Sequence, residues 1–118
     1  LDVLASRSNA VVLAGNPYVR RVMTFDRKRL ASFVRTARAL RRERYDAVID
    51  GMVLQPSVTM LMLMLATGAR YRIGIGGRAN DFIYTLPVGA AAPDAHQILQ
   101  SAATATPFGI DVRRTDWR

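Results

Sequence analysis

The chain has 118 residues, of which 50% are hydrophobic and 22% charged, a balance that excludes a disordered segment and suits one domain, small for a complete two-substrate enzyme. The absence of cysteine excludes disulfides and thiolate chemistry but leaves the redox compartment open. A net charge of +8 favours an anionic partner, whether nucleic acid, an anionic membrane surface or a phosphorylated substrate, without choosing among them.

Leu1–Ala5 is short and mostly apolar and reads as a strand. A chain that opens directly in such a run points to a fragment or a processed domain. Ser6-Arg7-Ser8-Asn9 offers capping side chains to a short helix over Ala10–Ala14, which Gly15-Asn16-Pro17 ends. Arg21–Phe25 is rich in β-branched and large apolar residues and reads as a second strand.

Asp26 is placed to cap the next element. From Lys28 to Glu43, Leu30, Phe33, Val34, Ala37 and Leu40 recur at spacings of three and four, which predicts a helix with those five side chains on its buried face. Lys28, Arg35 and Arg42 fall opposite, with Arg38 beside them. That basic stripe is either a solvated face whose arginines suit the helix dipole or a contact for a polyanion or acidic lipid.

Tyr45–Asp50 reads as a strand, Ser57–Thr67 as a helix between Pro56 and Gly68, and Arg70–Gly74 as the start of another strand running to Ile75. Strand, helix, strand in that order asks for a parallel sheet. The Met/Leu run Met60–Leu65 is expected to be apolar all round, as core between the sheet and a neighbour. Its methionines have no His or Cys beside them and are core filler, so no metal is expected. The run is also far short of the roughly 20 residues that cross a bilayer, and no targeting segment is visible.

In open parallel sheets ligands collect outside the carboxyl ends of the strands, so the loop of Asp50, Gly51 and Met52 is the first place to look for a site. Asp50 reads either as an orienting or acid–base carboxylate or as a cap on local backbone amides. Arg72 and Arg78 flank the glycines Gly74, Gly76 and Gly77; they form an anion site or simply an edge and loop. Neither a dinucleotide fingerprint nor a phosphate loop is present, and no cofactor is expected. Asp81–Leu86 reads as a further strand ended by Pro87. Ala95–Thr104 reads as a helix carrying His96 in its first turn, either as a neutral donor to carbohydrate or phosphate or as a structural residue. Ile110–Arg118 reads as the start of a linker.

The succession of these pieces resembles glycosyltransferase family 9, the lipopolysaccharide heptosyltransferases and their relatives. The resemblance rests on Leu1–Ala5 before a short helix, Asn16–Val22, Leu40–Asp50, Ser57, Gly68–Ile75 and His96 opening a later helix. It implies an α/β, Rossmann-like parallel sheet flanked by helices. Residues 1–118 would form a single, incomplete acceptor-binding domain, the N-terminal one of a two-domain GT-B enzyme. The first strand with its catalytic aspartate loop, and the donor-binding domain, would lie outside this chain, and an edge left by that strand is expected to favour dimers.

On that resemblance the whole enzyme is an inverting transferase moving heptose or a related sugar from a nucleotide-activated donor to the acidic lipopolysaccharide inner core. The donor would be held through the other domain, and the setting would be cytoplasmic, peripheral to an anionic inner membrane. The chain itself would hold no catalytic residue and would be inactive alone, with Asp50, Met52, Ser57, Arg72, Arg78 and His96 shaping the acceptor site. Met52 and Pro56 stand where relatives commonly carry a polar and a basic residue, which points to a different acceptor or a diverged member. The alternatives are a small basic module binding nucleic acid, though it lacks a recognised binding motif and nucleic acid is not expected, or a protein-contact scaffold.

Overall fold

A computed structural model describes residues 1–51, 57–77, 81–90, 92 and 94–111. They form a small α/β domain with parallel sheets flanked by helices, of generic Rossmann-like architecture. Strand β1 (Asp2–Ala5) leads through helix α1 (Arg7–Leu13) to β2 (Arg21–Thr24), which pairs with it in parallel. The long helix α2 (Leu30–Arg42) then crosses to a second sheet. There β3 (Ala47–Ile49), β4 (Tyr71–Ile75) and β5 (Leu86–Val88) lie side by side, all parallel, with helix α3 (Val58–Thr67) joining the first two. Helix α4 (Gln97–Ala102) runs on into a 3₁₀ segment, Ala103–Phe108.

Local chemistry explains most boundaries. Ser6 caps α1 by accepting from the Asn9 backbone N–H, so the helix starts at Arg7, one turn earlier than the expected Ala10–Ala14. Gly68 closes α3 in the left-handed conformation, φ 66°, beneath the Arg41 guanidinium, where any β-carbon would collide with that side chain. The contact puts the carboxyl ends of α2 and α3 together, and the two helices pack against each other along their length.

The second sheet is covered on both faces. Residues paired in register share a face, so Val48, Arg72 and Gly74 look one way and Ile73 and Ile75 the other. On the first face Leu61 and Met64 of α3 pack with Ile83, Tyr84 and Val48. On the second, Ile73, Ile75 and Val88 form a cluster, and the 3₁₀ segment after α4 lies against β4 and β5. Each buried Leu, Ile or Met here contributes about 1.5–3 kcal/mol by leaving water.

Other expectations need correction. Asp26 does not cap α2, whose N-cap is Arg29 without a side-chain bond; instead Asp26 Oδ1 accepts from the Lys28 N–H in a turn. The buried face of α2 is Ser32, Thr36 and Leu40, with Leu30 and Val34 exposed. Ser32 is tolerated inside because its Oγ accepts from the Asp26 N–H. Helix α3 is not buried all round: Val58, Met62 and Leu65 face out, because the sheet and α2 leave its outer side uncovered.

Asp81–Ile83 is a 3₁₀ turn rather than a strand, and Pro87 lies inside β5 instead of ending it. The edge position allows this, since a strand paired on one side can spare a backbone donor. His96 is the N-cap of α4, not a first-turn residue, and the helix is six residues long.

Tyr84 fixes a backbone approach at Gly74. Its ring lies where a β-carbon on Gly74 would stand, and its hydroxyl is held by Asp50, so the ring cannot swing away without breaking that bond. Gly74→Ala is therefore expected to destabilise the fold by about 1–3 kcal/mol, read as a lowered denaturant midpoint with unchanged slope.

Candidate functional site

Two polar clusters stand at opposite ends of the strands. At the carboxyl end of β3, Asp50 is buried and accepts a hydrogen bond from Tyr84 Oη at 2.7 Å. Its backbone N–H donates to the Ile73 carbonyl, so the residue is locked onto β4 as the strand ends. Gly51 follows, exposed, with open space where a side chain would project. Ser57 is the N-cap of α3, and its side chain makes no capping bond. Beside them, at the end of β4, Gly77 N–H donates to Asp81 Oδ2 at 2.7 Å and tightens that turn.

At this edge the buried Asp50 carboxylate and Tyr84 phenol are bonded to each other, and the exposed Gly51 follows in the chain.

The other predicted residues fall elsewhere. Arg72 sits near the start of β4, where its Nε donates to the Ile83 carbonyl at 2.7 Å and its Nη1 to the Ala69 carbonyl at 3.3 Å. It clamps the chain that carries Tyr84 and holds its guanidinium away from the carboxyl edge. His96 Nδ1 accepts from the Ile98 N–H at 3.3 Å. The short helix behind it carries too little aligned dipole to hold an anion by itself. Met52 and Arg78 lie outside the described residues.

Sequence reasoning missed Tyr84, which sits 34 positions from its partner in a segment that read as a strand. A phenol after Phe82-Ile83 reads as a strand aromatic, and only the 3₁₀ turn rotates it onto Gly74.

The amino ends of the strands carry the stronger electrostatics. Asp2 accepts from Arg20 Nε at 2.8 Å, Arg20 Nη2 at 2.6 Å, Arg21 Nη2 at 3.0 Å and Tyr45 Oη at 2.6 Å. Glu43 completes the network, 2.7 Å from Arg21 and 3.2 Å from Arg20. The Arg20 hydrogen bonds, with the Tyr45 hydroxyl second, hold the Asp2 carboxyl well below the usual carboxylate range against the opposing cost of burial. The bond to Arg21 lowers Glu43 in the same way. Burial first, and then the hydrogen bond to Asp2, raises the Tyr45 phenol.

A shallow polar cleft of about 380 Å³ lies here, lined by Leu1, Asp2, Arg20, Glu43 and Tyr45 among others. Asp2, Arg20 and Glu43 satisfy one another there, while Arg44 and Asp46, which also line it, are exposed and form no ion pair among the described residues; the cleft stands at the end of the strands opposite to where parallel sheets bind ligands. It is therefore a seam between the two sheets, tying β1 and β2 to the segment that enters β3. Among the described residues no group of acidic residues and histidine could hold a metal ion.

The Asp2 carboxyl titrates below its ordinary 3.8, so its contribution to stability is complete above that value and fades as the pH falls toward the lowered one. Thermal melts of Asp2→Asn are expected to start lower at neutral pH and to decline less in acid than the parent. Tyr45→Phe should cost about 1 kcal/mol and show an acid decline between those of the parent and Asp2→Asn.

Comparison of the chain with protein-family models, curated proteins and solved structures finds no match.

Proposed function

We propose that this chain is the acceptor-binding part of a GT-B glycosyltransferase that moves heptose or a related sugar from a nucleotide-activated donor to the lipopolysaccharide inner core. The observation that carries the reading is the buried Asp50 carboxylate, held by Tyr84 at the carboxyl end of β3 in a parallel sheet, where such sheets collect ligands. The succession of sequence segments that resembles the heptosyltransferases supports it, as does the net charge of +8 toward an acidic, membrane-embedded acceptor. The setting is the cytoplasmic face of an inner membrane.

In this reading the chain supplies recognition and its partner domain supplies the donor. Inverting transfer needs a base for the acceptor hydroxyl and positive or dipolar groups for the departing diphosphate. Neither role falls to the described residues: Asp50 orients acceptor hydroxyls, with Ser57 and the Gly51 turn beside it. The second reading, a basic α/β module without catalysis, draws on the arginines of α2, of which Arg35, Arg38 and Arg42 have no ion-pair partner among the described residues.

Titration of the isotopically labelled chain with inner-core oligosaccharide is expected to shift the amide resonances of Asp50, Gly51 and Ser57. Asp50→Asn is expected to weaken that binding about tenfold, the loss of one charge-assisted hydrogen bond. Shifts confined to α2, or equal affinity for duplex DNA and the oligosaccharide, would turn the assignment to the basic module.

A further inference from the structure

The outer surface of the α2–α3 pair is the least expected feature of the fold. On α3, Val58, Met62 and Leu65 recur at helical spacing and are 71%, 52% and 46% exposed. On α2, Leu30 and Val34 are 78% and 39% exposed, although the sequence pattern assigns both to the core. Arg41 reaches over Gly68, which brings the carboxyl ends of the two neighbouring helices together. Arg41 also marks the flank of α2 that faces α3, and Leu30 and Val34 lie on that same flank. The five side chains thus form one apolar ridge along the seam between the helices.

The charges on the two helices are all positive, and Asp26, just before α2, is paired with Arg29. Neither helix contains an acidic residue, and α2 presents Arg35, Arg38 and Arg42, all exposed, along its outer side. Arg27 and Lys28 stand exposed just before its start. Among the described residues none of these five cations forms an ion pair.

We infer that this face docks on an anionic lipid bilayer, with Leu30, Val34, Val58, Met62 and Leu65 seated at the headgroup–acyl boundary and Arg35, Arg38 and Arg42 among the lipid phosphates. The combination is what an interfacial helix pair requires: apolar side chains to enter the boundary and cations to meet the negative surface. A second copy on the same face is disfavoured, since a two-fold axis through the ridge would set arginines against arginines. Nucleic acid would use the cations but would gain nothing from the five apolar side chains. The inference stands on α2 and α3 alone and does not depend on the transferase reading.

The test is flotation of the chain with phosphatidylcholine vesicles and with phosphatidylcholine vesicles containing phosphatidylglycerol. Binding is expected only to the anionic vesicles and is expected to fall with salt. The triple substitution Arg35→Gln, Arg38→Gln, Arg42→Gln should weaken it on the order of a hundredfold, about fivefold for each charge removed. Leu30→Gln with Met62→Gln should weaken it at least about tenfold with the circular dichroism spectrum unchanged, since both side chains are exposed.

Failure of the parent chain to float with anionic vesicles overturns the inference, a result that needs no variant. So does binding that ignores Leu30→Gln and Met62→Gln, which would leave only counterion attraction. A dimer that those two substitutions dissociate, without vesicle binding, would assign the ridge to a second copy instead.

Discussion

The contact between the Tyr84 ring and the bare backbone of Gly74, closed by the hydrogen bond from Tyr84 to Asp50, is the constraint on which the second sheet depends. It joins three segments that no local rule connects: the end of β3, the middle of β4 and the 3₁₀ turn before β5. Leu61 and Met64 of α3 pack onto the same ring, so the helix that links β3 to β4 is seated by it as well. Arg72 fastens the turn from below through the Ile83 carbonyl. A buried carboxylate is costly to keep without partners; this one belongs to the same contact that aligns the strands, which places a polar group at the carboxyl edge of the sheet without loosening the core.

The two ends of the strands have divided labour. At the amino ends, Asp2 and Glu43 absorb the guanidinium groups of Arg20 and Arg21, and Tyr45 adds a hydroxyl. That network ties the first sheet to the second where no backbone ladder joins β1 to β3 among the described residues. Asp2, Arg20, Arg21 and Glu43 are engaged with each other, so the centre of the polar cleft is a structural network. At the carboxyl ends, Gly51 and Gly77 are exposed, with the Asp50 and Asp81 carboxylates bound in place.

The helix layer shows how a pattern can be right and its orientation wrong. Apolar residues in α2 do recur at threes and fours, yet the helix is rolled so that Ser32 and Thr36 go inside with Leu40. Two interactions set the roll: the Asp26 N–H on Ser32 Oγ at one end and Arg41 over Gly68 at the other. Both are long in sequence or involve polar atoms that a hydrophobic pattern does not weigh. The consequence is an outer surface on which apolar and cationic side chains stand together.

From the sequence alone one can read most of the order of strands and helices, the parallel pairing and the stop at Gly68, because each follows from local backbone preference or from the period of the apolar residues. Only the tertiary structure decided that Asp2 is the centre of an ion-pair network, that Tyr84 holds Asp50, that Arg72 is a clamp, and that Leu30, Val34 and the outer side of α3 face away from the core. Each of these depends on which side chain meets which across the chain. Contacts between residues far apart in sequence set the roll of a helix and the partner of a buried carboxylate, and neither periodicity nor spacing encodes them.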